Sequence, residues 1–93
     1  MSDPIYDRPG LYDVAFGFRD VRAEREVLAR WAASRRGTEA PGRMLELGAG
    51  PADHALAFAE CGWHAEALDL APSMVEHARA HALRRGLPLG LHT

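Results

Sequence analysis

Met44-Leu45-Glu46-Leu47-Gly48-Ala49-Gly50, followed further on by Leu68-Asp69-Leu70, decides how this chain folds. The first stretch reads as a short buried strand running into a glycine turn. Ala52 to Cys61 follows as a helix, carrying Leu56, Ala57 and Phe58 on its apolar side and stopping at Gly62. His64 to Leu70 is the next strand. Pro72 then stands where a first helical residue belongs, because its missing N–H is not needed there. That helix runs to Arg85 with Met74, Val75, Ala78 and Ala82 as its stripe, and Gly86 ends it. Leu87 to Thr93 starts a third strand. Alternation of strand and helix predicts a parallel sheet joined by helical crossovers.

Upstream, residues 1–19 form a leader rich in Pro, Gly, Asp and Tyr, with Tyr6, Tyr12, Phe16 and Phe18 embedded. Asp20 is a candidate N-cap for an entry helix over residues 20–36. Val21, Leu28, Trp31 and Ala32 fall near one face of it, and Glu26 and Arg30 stand one turn apart on the wet side. Gly37 ends the helix and a Pro/Gly linker follows. Residues 43–93 then carry strand, helix, strand, helix, strand. The fold class is α/β: a partial Rossmann-like parallel sheet with an N-terminal helix, the whole of residues 1–93 being one cofactor-binding unit.

At 93 residues the chain is one small domain with a thin stability margin. It holds 11 basic and 13 acidic residues, so nothing steers it to nucleic acid or to an anionic membrane. Every basic residue is Arg, and Lys, Asn and Gln are absent, which a GC-rich genome explains. Cys61 is the sole cysteine, which excludes an internal disulfide or a cysteine metal cluster. The start is polar and acidic, unlike a secretion signal, and no apolar run approaches the roughly 20 residues of a membrane span. A cytoplasmic setting is the default expectation.

The glycine turn discriminates among ligands. A dinucleotide fingerprint puts a third glycine where this chain has Asp53, and a carboxylate there repels a pyrophosphate. Pro51 removes one N–H from the anion-binding nest. Gly48 and Gly50 still allow close backbone approach. Glu46, at the strand end, can accept from a cation or an ordered water. Asp69 can accept from both hydroxyls of a ribose. Leu70 and Met74 offer apolar surface for a purine, although Met74 serves equally well as a core residue. An adenosine-bearing ligand with a zwitterionic tail and no phosphate suits such a turn.

These motifs resemble the N-terminal half of class I S-adenosylmethionine-dependent methyltransferases, in particular the bacterial small-molecule subgroup. The family's E/D-x-G-x-G-x-G motif is matched by Glu46-Leu47-Gly48-Ala49-Gly50-Pro51-Ala52, and its acid followed by Ser-x-x-Met by Asp69-Leu70-Ala71-Pro72-Ser73-Met74. The leader segment from Tyr12-Asp13 to Asp20 resembles the family's entry segment, and the likeness spans residues 10–92. It implies S-adenosyl-L-methionine as cofactor. Backbone groups of Leu47, Gly48, Ala49 and Gly50 would then hold the methionine end, with Glu46 helping through water. Asp69 would bind the ribose, Leu70 and Met74 would flank adenine, and Tyr12 and Arg19 would reach toward the methionine carboxylate. Two departures stand out. Ala52 replaces the third glycine, and Ala71 replaces a Ser cap worth about 0.5–2 kcal/mol.

The resemblance also implies a small-molecule methyl acceptor, while no residue offers itself as a catalytic base. His77 and His81, one turn apart, read as a solvated helix face rather than a metal pair, and His54 as a half-exposed helical histidine. The first strand would normally have a neighbour on its other side, so an open edge is expected to pair in a homodimer or with a complementing polypeptide. The chain thus reads as a truncated or partial methyltransferase domain. The alternative is a non-catalytic S-adenosylmethionine-binding module or partner subunit. A nucleotide-dependent oxidoreductase half is disfavoured by Asp53 and Pro51.

Overall fold

The computed structural model describes residue 8 and residues 19–93. Tyr12 and the other leader aromatics lie outside the described residues. Helix α1 spans Val21–Arg36, strand β1 Arg43–Leu47, helix α2 Asp53–Glu60, strand β2 His64–Leu68, helix α3 Pro72–Arg85 and strand β3 Gly90–His92. The strands form a parallel sheet in the order β1-β2-β3. In register, Met44 faces Ala65, Glu46 faces Ala67, and Leu68 faces His92.

Pleating sends alternate residues to opposite faces. Met44, Glu46, Ala65, Ala67 and Leu91 share the face that the helices cover. Alanines dominate there: Ala55 and Ala59 from α2 and Ala78 from α3 pack on Ala65 and Ala67, with Met44, Leu87, Leu89 and Leu91 around them. Small side chains let helix and sheet backbones approach closely. The largest fully buried side chains are Leu56 and Met74.

The opposite face carries Leu45 and Leu47, which are 52% and 71% exposed. No described helix covers it. β1 is an edge strand, so its outer backbone groups have no partner strand among the described residues.

α1 begins where Asp20 accepts from the Ala23 N–H at 3.1 Å, as the sequence predicts. It packs on α2 and is tied to it by Arg22, which donates to Glu60 at 3.2 and 3.3 Å. Arg85 of α3 pairs with the same Glu60. The inner face of α1 is only half-buried. Val21, Ala29 and Ala32 lie on it, but Trp31 does not: it is 61% exposed and lies beneath the Arg35 guanidinium, 5.4 Å from the ring centre. Trp63 instead anchors the linker region, edge-on to Phe58 at 5.0 Å and under Arg36 at 5.0 Å. Cys61 is exposed. No helix of the described residues is long and apolar enough to cross a membrane.

Candidate functional site

The carboxyl ends of the three strands are tied together by backbone hydrogen bonds that extend past the strands. Ala49 N–H donates to Leu68 C=O at 3.0 Å, and Asp69 N–H to His92 C=O at 3.1 Å. These bonds bring the glycine turn and the acid after β2 side by side. The Asp69 carboxylate completes the junction. Its Oδ2 accepts from Gly50 N–H at 2.8 Å, and its Oδ1 accepts from Ala71 N–H at 2.8 Å. The motifs that the sequence pairs across a helix therefore touch.

The role of Asp69 is broader than expected. Both oxygens already hold main-chain donors, one in the turn and one at the start of α3. Ala71, the N-cap of α3, has no side-chain cap bond of its own, and Asp69 holds the Ala71 N–H just ahead of the helix. Each carboxylate oxygen keeps a second lone-pair site for an outside hydroxyl.

Gly48 and Gly50 adopt φ of +60° and +56°. Gly48 is exposed, and a Cβ built on it would meet nothing within 4 Å, so open space lies in front of this backbone. Gly50 and Pro51 are buried behind it. Ala52, where the family motif has glycine, also has a left-handed conformation with φ of +63° and is fully buried. An L-residue there carries roughly 1–2 kcal/mol of backbone strain. The substitution is thus a strained fit rather than a free gain in packing.

Glu46 points from β1 toward the start of α2. Its Oε1 accepts from Ala55 N–H at 2.9 Å, one of the orphan donors of that helix, and its Oε2 lies 3.3 Å from His54 Nδ1. Burial pushes the Glu46 carboxyl above the ordinary glutamate range, opposed by the Ala55 hydrogen bond and by His54. His54 Nε2 meets Glu24 of α1 at 2.9 Å, and Arg19 donates to the other oxygen of Glu24 at 2.8 Å. The hydrogen bonds from Arg19 and then His54 hold the Glu24 carboxyl below its usual range. A chain of polar side chains in contact, Glu46–His54–Glu24–Arg19, therefore runs from the strand to the entry of α1. Nothing in the sequence pattern around His54 points to this part. Its signal was there only in three dimensions, since Glu24 is far away along the chain.

A cavity of about 120 Å³ opens at this end of the turn, lined by Arg19, Glu46, Gly48, Asp53 and His54 among others. It holds both charge signs. Leu70 sits past Asp69 and is 89% exposed. Met74 corrects the expectation of a purine contact: its side chain is fully enclosed and presents no surface to a ligand. Its position one turn into α3 directs it into the core. A larger hollow of about 310 Å³ lies between α1 and the linker to β1, lined by Arg25, Arg36 and Trp63 among others, away from the turn. Among the described residues no three His, Cys, Asp or Glu side chains gather to hold a metal.

No protein-family model and no curated protein matches the chain. Solved structures do match. CalS10, an amino pentose methyltransferase of calicheamicin biosynthesis from Micromonospora echinaspora, solved with S-adenosylmethionine bound, aligns with a TM-score of 0.70 and 28% identity over 88% of this chain and 33% of that one. The glycopeptide N-methyltransferase MtfA complexed with sinefungin aligns with a TM-score of 0.51 and 28% identity, over 69% and 27%. The PH0226 protein of Pyrococcus horikoshii OT3 shares the fold, with a TM-score of 0.61 at 19% identity, over 81% and 32%. The chain spans about a third of the length of these structures. Its fold is that of a class I methyltransferase, represented by a partial Rossmann-like sheet.

Proposed function

We propose that this chain is the cofactor-binding part of an S-adenosylmethionine-dependent methyltransferase acting on a small-molecule acceptor. The observation that carries the proposal is the junction of turn and acid: Gly50 N–H on Asp69, with open space before Gly48. The likeness to CalS10 and MtfA supports the choice of cofactor and of a small acceptor.

The residues suit the ligand in three ways. Asp69 has lone pairs left for ribose hydroxyls. Leu70 offers apolar surface beside it for the purine. The mixed-charge cavity at Arg19, Glu46 and Asp53 suits an amino-acid end, with the backbone of Leu47 to Gly50 passing alongside. The same Asp53, with Pro51, opposes a pyrophosphate. Tyr12 would add to the amino-acid end from the leader. Met74 is not part of this site. When bound, S-adenosylmethionine supplies an activated methyl group, and the chain's own contribution is to fix its position, which is a large share of catalysis for a displacement reaction. No described residue is assigned as a catalytic base.

The bare face of Leu45 and Leu47 and the free edge of β1 support a further polypeptide as partner, either a second copy or a complementing segment.

Calorimetric titration tests the binding claim. S-adenosylmethionine should bind wild type saturably and NAD should not. Leu70→Asp should weaken the binding at least about tenfold without lowering the melting temperature. Equal binding of NAD, or an unaffected Leu70→Asp variant, would overturn the proposal.

A further inference from the structure

The Glu46–His54–Glu24–Arg19 chain does something the turn and acid do not explain. Helix α1 has no buried residue, and its inner face is only half-covered. Apolar packing alone therefore holds it weakly. Yet Arg19, at its entry, forms one wall of the turn cavity. Something must fix that wall relative to Gly48, and His54 is placed to do so. It belongs to α2, it is mostly covered, and each of its ring nitrogens faces a carboxylate oxygen: Glu46 of β1 at 3.3 Å and Glu24 of α1 at 2.9 Å.

We propose that His54 is a positioning residue that clamps α1, and with it Arg19, against the glycine-turn cavity, and thereby sets the affinity of that cavity for the amino-acid end of its ligand. The identity of the ligand rests on the function proposed above; the clamp does not. A neutral imidazole has one N–H and can donate to one carboxylate only. Two donors are needed to satisfy Glu46 and Glu24 together, so the clamp is complete with the ring protonated and loses one bond when the ring is neutral. Among the described residues, the other charged groups beside the clamp are Arg19 next to Glu24 and Asp53 next to Glu46 on α2. His54 does not touch the reacting atoms; it acts through the two carboxylates it joins.

The test is a double-mutant cycle on the 93-residue chain with His54→Gln, Glu24→Gln and the two combined. Titration with S-adenosylmethionine reads the affinity. Each single variant should bind about tenfold more weakly than wild type. The double variant should be no worse than the weaker single one. Additive losses, or a His54→Gln variant with wild-type affinity, would overturn the clamp. Hydrogen exchange of the first-turn amides of α1 needs no ligand. It should quicken in His54→Gln, and unchanged exchange would likewise overturn the clamp. If wild type fails to bind S-adenosylmethionine, the proposed function falls, while the exchange comparison still decides the clamp.

Discussion

Asp69→Ala should unfold this protein far more readily than an exposed carboxylate has any right to. The side chain is only partly buried, but it accepts two main-chain N–H groups at 2.8 Å each. Hydrogen bonds to a charged acceptor contribute about 1.5–3 kcal/mol apiece. The loss of both would cost about 3–6 kcal/mol, and Ala71 is itself buried. Gly50 is buried, so its N–H gains little from solvent in return. A chain of 93 residues has a total stability of roughly 5–14 kcal/mol. At about 4–8 °C per kcal/mol, a loss of 3 kcal/mol moves the melting temperature down by about 12–24 °C. Asp69→Asn keeps one acceptor and should fall between. Leu70→Ala, next in sequence, is the control and should stay within about 0.5 kcal/mol of wild type. Urea unfolding with parallel circular-dichroism melts reads all three. An Asp69→Ala variant melting within a few degrees of wild type would refute the idea that this carboxylate joins the turn to α3. The same dual role means that lost ligand binding in Asp69→Ala says nothing by itself about the ribose.

Three further outcomes follow from the structure. Ala71→Ser should stabilise the chain by about 1 kcal/mol in urea melts, since it restores a side-chain cap at an extended residue that has none. The Glu46 carboxyl titrates higher in the folded state than in the unfolded, so the fold binds that proton more tightly. Its contribution is therefore most favourable below the unfolded value and is lost as pH climbs through the folded one. Unfolding free energies measured from acid to neutral pH should show Glu46→Gln gaining on wild type across that window; a constant difference would contradict it. Finally, sedimentation velocity should show concentration-dependent association of wild type, diminished in Leu45→Lys/Leu47→Lys, whose charges break the bare apolar face.

Much of the fold was legible because its signals are local. Asp20, Gly37, Pro72 and Gly86 punctuate the helices at their predicted ends, and Gly48 and Gly50 announce the turn. Where reading from sequence failed, the deciding partner was distant. Met74 fits a purine-contact motif by spacing, but only the packing of α3 on the sheet sends it inward. Trp31 lies at the margin of the apolar arc of α1, and a surface of small alanines on that helix gives so large a ring nothing to sink into. His54 is an unremarked histidine until α1 brings Glu24 to it. Asp69 reads as a candidate ribose ligand from its spacing, but its bonds to Gly50 and Ala71 depend on the registry of β1 and β2, which no single segment encodes.

The most direct test of the central claim is a residue-resolved one. In a heteronuclear NMR titration with S-adenosylmethionine, the amides of Gly48, Gly50, Asp69 and Leu70 should shift most, saturate together, and stay still when NAD is added instead. Largest shifts around Arg25, Arg36 and Trp63, or equal responses to NAD, would contradict a cofactor site at the glycine turn.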